Sequence, residues 1–213
     1  MNQSMNVFLV RHGQTLLNQN NTHQYSSTPL SERGLHEAEH IAEYLRESKI
    51  DAIYSSPLTR AKQTAEVISR VSGKKIIFLD ELKEVKKPSA IEGKSHDDPA
   101  IQQIKQGIKD NFSYKNWHHS DEENFWDIQR RVSHLIKLVE GKREGNILFV
   151  SHGIVIKMFL SLCIFKEKLT APEFLAFYEH IHISNTGVTH CRYSTKLGWK
   201  VLRVNDTTHL IDS

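Results

Sequence analysis

Cysteine is nearly missing from this chain of 213 residues, which holds only two. Cys163 and Cys191 lie far apart and form no C-x-x-C pair, which excludes a disulfide scaffold. Charge of one sign is missing as well. There are 28 Lys and Arg against 25 Asp and Glu, a formal net charge of +3. That balance is too weak to argue for a nucleic-acid partner. Long apolar runs are absent: the stretch 153–164 is interrupted by Lys157 and is too short to span a bilayer. Residues 1–4 carry no apolar segment of the kind a secretory leader needs. The expectation is a soluble cytoplasmic protein with no membrane partner.

What is present is an ordinary globular composition with one anomaly. Apolar residues reach 38%, charged residues 25% and aromatics 8%, which excludes compositional disorder. The length suits one domain spanning 1–213, large enough to bury about 70% of its unfolded surface. Histidine is the anomaly, with 13 residues, roughly 6% of the chain. That excess poses a choice between metal binding, catalysis and neither.

The apolar patterning alternates between two periods. Residues 7–10 read as a buried strand ending at Arg11-His12-Gly13. Ser31 precedes a helical stripe of Leu35, Ala38, Ala42 and Leu45. Residues 51–54 form the next strand. A helix then starts with Ser56 as candidate N-cap and Pro57 in its first turn, carrying Leu58, Ala61, Ala65, Ile68 and Val71, and ending at Gly73. Residues 76–79 form a third strand. From Glu84 to His119 the chain is polar, with one helix expected near 100–108. A helix over 124–139, a strand over 146–150 and a helix over 153–162 follow. Residues 181–193 alternate and are expected to pair with 199–204. Strands alternating with helices predict an α/β fold with a mostly parallel sheet covered on both faces, and a cap-like insertion over 85–120.

Ligands of such sheets bind beyond the carboxyl ends of the strands. Three loops meet that rule: Arg11-His12-Gly13, the stretch from Ser55 to Arg60, and Ser151-His152-Gly153. Two guanidinium groups and two imidazoles suit a phosphoryl group. Arginine supplies fixed bidentate donors to its oxygens, and neutral histidine is a nucleophile. The helix expected after His152 points its N–H groups the same way.

Those residues carry a resemblance. Val10-Arg-His-Gly-Gln-Thr-Leu-Leu-Asn18, Leu30-Ser-Glu-Arg-Gly34, Ser55-Ser-Pro-Leu-Thr-Arg-Ala-Lys-Gln-Thr-Ala65 and Val150-Ser-His-Gly153 stand in the order of the histidine phosphatase superfamily motifs. That superfamily includes the cofactor-dependent phosphoglycerate mutases. The resemblance covers about residues 6–160 and implies a three-layer sandwich of the mutase type. It also implies that His12 becomes phosphorylated, and that Arg11, Arg60, His152, Asn18, Gln24 and Gly153 bind the phosphoryl group and substrate. Leu82-Lys83-Glu84 matches the general-acid pattern, which makes Glu84 proton donor and later base, with Glu81 as competitor. No metal and no cofactor are implied, and the partner is a small phosphorylated metabolite. A phosphomonoester hydrolase is expected ahead of a mutase. The stretch 85–93 lacks the Tyr-Gly-x-Leu-x-Gly-Leu-Asn-Lys segment with which the mutases grip their substrate.

The chain departs from the family pattern at Tyr25, in place of glycine, and at Thr28, in place of aspartate. Gln14 stands where glutamate is common. A competing motif is His36-Glu37-Ala-Glu-His40, which satisfies the H-E-x-x-H signature of zinc hydrolases. In a chain rich in both residue types such a match arises by chance. His36 and His40 sit beside the apolar stripe, flanked by Glu37, Glu39 and Glu43, so both histidines are expected to face water. His180 and His182 are expected on one face of a strand.

Overall fold

The computed structural model describes residues 4–142 and 145–210. Six strands form one sheet: β1 (Ser4–Arg11), β2 (Ala52–Ser55), β3 (Ile76–Phe78), β4 (Asn146–Ser151), β5 (Val188–Ser194) and β6 (Gly198–Asp206). Their order is β3-β2-β4-β1-β5-β6. The first four run parallel, and β5 and β6 add an antiparallel edge. The mostly parallel α/β fold predicted from the alternating pattern is the one observed.

The period of two along β4 explains the layers. Ile147 and Phe149 face one core, with Phe125, Val132 and Leu135 of α5 (Phe125–Glu140) and Ile156 and Phe159 of α6 (Gly153–Phe165). Leu148 and Val150 face the other, with Ala38 and Ile41 of α2 (Glu32–Tyr44) and Ala61, Ala65 and Ile68 of α3 (Thr59–Ser72). A short α1 (Leu16–Gln19) follows β1. Two elements, α4 (Pro99–Asn111) and α7 (Ala171–His180), complete the set.

Some sequence expectations are corrected. Leu35 and Val71 stand at the ends of their stripes and are exposed. The helix expected to be capped by Ser56 starts two residues later: Leu58 occupies the N-cap without a side-chain bond. Helix α7 lies where no helix was expected, announced by a capping box between Thr170 and Glu173. The strand expected from 181 therefore begins only at Val188. His180 ends α7 and His182 sits in the loop after it, so they do not share a strand face.

The topology places the site. From β1 the chain crosses to β2 on one side of β4, and from β4 it crosses to β5 on the other. The carboxyl ends of β1 and β4 thus flank the point where the winding reverses, the usual crevice of such sheets. Arg11 is in register with Ser151, and the His12 amide donates to the Ser151 carbonyl at 3.0 Å.

Candidate active site

His12 and His152 emerge from the two neighbouring strands with ring centroids 5.1 Å apart. Arg60, in the first turn of α3, donates from Nε to His12 Nε2 at 3.2 Å. All three side chains are buried. The other ring nitrogen, Nδ1, lies 2.7 Å from the Gly13 carbonyl. A carbonyl only accepts, so Nδ1 carries the proton and Nε2 keeps its lone pair. Burial first, then the Arg60 and Arg11 charges, hold the His12 pKa well below its ordinary value. The ring is therefore neutral, with an unprotonated Nε2 that accepts from Arg60.

His152 is held in the same way. Ser56 Oγ accepts from the Leu58 amide at 3.2 Å and hydrogen-bonds His152 Nε2 at 2.8 Å, which fixes the ring's orientation. Burial, followed by the charge of Arg60, pushes this histidine's pKa down as well. Ser56 is thus an orienting group for a site imidazole and not the helix cap expected of it.

The backbone around these rings is clamped from several sides. The Gly13 amide donates to Thr64 Oγ1 at 3.1 Å and the Gln14 amide to Glu37 Oε2 at 2.8 Å. From the loop after α7, Asn185 Nδ2 donates to the His12 carbonyl at 2.8 Å, and the Thr186 amide to the Arg11 carbonyl at 3.0 Å. Thr186 adopts φ 51, a left-handed conformation unusual for a β-branched residue. Arg11 Nη1 donates to the Ile183 carbonyl at 2.7 Å.

Sequence reasoning missed Glu37. It was considered only as the glutamate of the zinc motif, but it is buried and accepts from Arg33 Nε at 3.1 Å and from the Gln14 amide. A signal was present, because Glu37 lies on the same helical stripe as Gly34, Ala38 and Ile41. Its carboxylate is thereby committed. His36 and His40 are exposed, and His36 lies 3.5 Å from Glu39. Among the described residues no group of three or more His, Cys, Asp or Glu could hold a metal ion.

Above the rings opens a cavity of about 1230 Å³, lined by Arg11, His12, Asn18, Gln24, Arg60, Glu84 and Gly153 among others. His152 lies beneath this lining. A Cβ on Gly153 would stand 3.8 Å from Arg11 Nε, ordinary contact distance. Gln24 accepts from Thr15 Oγ1 at 3.1 Å. Glu84 accepts from the Val85 amide at 2.9 Å with one oxygen and approaches the Ile154 amide at 3.4 Å with the other. Its charge reaches both Arg11 and Arg60 and opposes the lowering of their pKa by burial, which leaves Arg60 at about 10. Glu81 is elsewhere, 3.0 Å from His134 Nδ1. The two departures at the rim form a turn of their own: the Tyr25 amide donates to Thr28 Oγ1 at 3.0 Å, and the Tyr25 carbonyl accepts from Arg60 Nη1 at 3.0 Å.

Three buried polar atoms at this site have no protein partner: Arg11 Nε, Asn18 Oδ1 and His152 Nδ1. Buried polar atoms without partners are uncommon, and a group of them calls for a ligand. Donors from guanidinium, imidazole and a helix N-terminus around a nucleophilic nitrogen suit phosphoryl transfer.

Comparison with known proteins points the same way. A probable phosphoglycerate mutase of Shigella boydii is 27% identical over 223 residues, covering 97% of this chain and 95% of that one. Among solved structures, a putative alpha-ribazole-5'-P phosphatase from Escherichia coli superposes with TM-score 0.78 at 24% identity, over 95% of this chain and 97% of that one. A phosphoserine phosphatase from Entamoeba histolytica, solved with 3-phosphoglyceric acid, gives TM-score 0.77 at 23% identity, over 97% of this chain and 100% of that one. The family model of the histidine phosphatase superfamily, branch 1, matches residues 7–207. With that match across nearly the whole chain, the protein is an enzyme of the histidine phosphatase superfamily.

Proposed function

We propose that the chain is a phosphomonoester hydrolase acting through a phosphohistidine on His12. The observation that carries this reading is the His12 ring, its pKa held low and its unprotonated Nε2 accepting a hydrogen bond from Arg60 at 3.2 Å. The Nε2 lone pair attacks phosphorus and the phosphorus–oxygen bond to the leaving group breaks. Glu84 gives its proton to that leaving oxygen. The ring then carries phosphorus on Nε2 and a hydrogen on Nδ1, and the Gly13 carbonyl stabilises its positive charge. Water attacks next, Glu84 takes its proton, and the phosphorus–nitrogen bond breaks to give phosphate and neutral His12. Arg11, Arg60 and His152 hold the equatorial oxygens, with Asn18 and the Gly153 amide adding donors.

The cavity placement of Glu84 supports it over Glu81 as the acid. The segment 85–120 serves as a cap on a single domain, because Ile91, His96 and Phe112 line the cavity from above. That favours a small phosphorylated metabolite. The absence of the mutase gripping segment from 85–93 favours hydrolysis over mutase-type transfer.

His12→Ala is expected to abolish both turnover of p-nitrophenyl phosphate and acid-labile labelling by phosphorylated substrate. Activity persisting in that variant would sink the assignment. Hydrolysis is expected to survive EDTA. Its loss, with recovery on added zinc, would return weight to His36 and His40.

A further inference from the structure

The cavity is larger than the roughly 300–1,000 Å³ usual for small-molecule sites, at about 1230 Å³. Apart from Arg11 and Arg60 at the rings, its cations fall into three groups, and in one of them Lys157 stands alone, donating to the Tyr178 carbonyl at 2.8 Å. Lys83, Lys86, Lys109 and Arg131 are each paired, with Asp80, Asp121, Glu179 and Glu123 at 2.9, 3.1, 2.6 and 2.7 Å. Lys87 and Lys105 are different. Among the described residues neither ammonium has a carboxylate at ion-pair distance. The carboxylate whose charge bears most on Lys87 is Glu84, followed by Glu122 and Glu123; Glu84 accepts from the Val85 amide at 2.9 Å, Glu122 from the Ser120 amide at 2.8 Å, and Glu123 takes Arg131 in a two-pronged pair. Lys105 Nζ has only His96 Nδ1, at 3.4 Å.

His96 stacks on His23, with centroids 3.8 Å apart and planes at 19°. The pair joins the cap to the rim, because Thr22 bridges to Ser95 and the His96 amide donates to the Asn21 carbonyl at 2.9 Å. Lys87 and Lys105 are both exposed along the cavity; desolvation by the surrounding protein lowers the Lys87 pKa, Glu84 opposes that fall and Lys105 adds to it. The same two ammonium groups, after burial, depress both imidazoles. Both lysines belong to a cavity lining that holds nine lysines and arginines against six aspartates and glutamates, an excess of positive charge that attracts an anion.

We propose that Lys87 and Lys105, with the stacked His23 and His96 beside them, form a second anion subsite, so that the substrate is a phosphomonoester bearing another phosphate or a carboxylate. This rests on the reading of His12 as the phosphoryl acceptor. Lys87 follows the Glu84 loop and Lys105 lies on α4, so the subsite draws on both walls of the cap. The scissile phosphoryl sits against Arg11 and Arg60, and the second anion is held by the cap lysines. Substrates with one anionic group lose that anchor.

The test is kcat/KM on matched pairs: fructose 1,6-bisphosphate against fructose 6-phosphate, and 3-phosphoglycerate against glycerol 3-phosphate. The wild type is expected to prefer the second anion by about ten-fold, the worth of one charge-assisted hydrogen bond. The pair showing the preference tells phosphate from carboxylate. In the double variant Lys87→Gln with Lys105→Gln the preference is expected to collapse. No preference in either wild-type pair, or one unchanged in the double variant, overturns the subsite. Should the wild type fail to hydrolyse even p-nitrophenyl phosphate, it is the His12 reading that fails. The subsite is then decided by calorimetry on the wild type, where equal affinity for fructose 1,6-bisphosphate and fructose 6-phosphate overturns it.

Discussion

Single residues carry the chemistry through their second partners. In the proposed mechanism His12 serves as nucleophile because its Nδ1–H donates to the Gly13 carbonyl, which leaves the lone pair on Nε2, where Arg60 donates. Glu84 has the opposite need, since an acid must part with a proton only when the leaving oxygen demands one. Glu84→Gln is therefore expected to slow alkyl phosphates by about a hundred-fold or more, the usual worth of general acid catalysis. p-Nitrophenyl phosphate, whose leaving group needs no proton, should suffer far less. Steady-state kinetics on both esters check this, and equal losses would remove Glu84 from the role. The residue types and their order were legible in the motifs. The partners were not: Ser56 read as a cap and Glu37 as part of a zinc motif, because local spacing does not reveal what a distant loop presents.

Elements set the spacing between those residues, most visibly where α2 meets the loop after β1. A Cβ on Gly34 would lie 2.0 Å from the Gln14 carbonyl oxygen, and one on Gly13 would lie 2.4 Å from the Gly34 carbonyl oxygen. Both obstacles are backbone, so neither can rotate away. Gly34→Ala is expected to destabilise by about 1–3 kcal/mol through overpacking. It should also lower kcat/KM, because the loop it displaces carries His12. Gly107, inside α4, meets nothing within 4 Å. Gly107→Ala should instead stabilise by about 0.5–1 kcal/mol through helix propensity and a less flexible unfolded chain. Chemical denaturation of the two variants reads the contrast, and equal responses would refute the close-approach argument. Strong periodic elements such as α5 were readable within a residue or two. Helix α7 was not, because alternation after it suggested a longer strand than forms.

At the scale of the whole molecule the buried imidazoles bias stability with pH. His23 falls from 6.5 to about 4, first through burial and then through His96 and the two cap lysines. The unfolded chain thus binds that proton more readily than the folded one. The stabilisation is complete above 6.5 and is lost as pH falls from there toward 4. His12 and His152 act with the same sign. Tm is expected to fall on acidification across that window, and His23→Asn to flatten the slope. An identical slope in the variant would separate His23 from the effect. No helix among the described residues is long and apolar enough to cross a membrane.

The sequence by itself determined the order of strands and helices, and the motifs at their ends. Apolar period and loop residue type are local properties. Only the tertiary structure decided which histidines matter. Of the 13, His12 and His152 meet because β1 and β4, distant in sequence, lie side by side in register. Likewise Lys87 and Lys105 gain meaning only when two segments of the cap enclose one cavity and leave both ammonium groups without a carboxylate. Burial and charge pairing are sums over neighbours, and the neighbours are fixed by the packing of the whole chain.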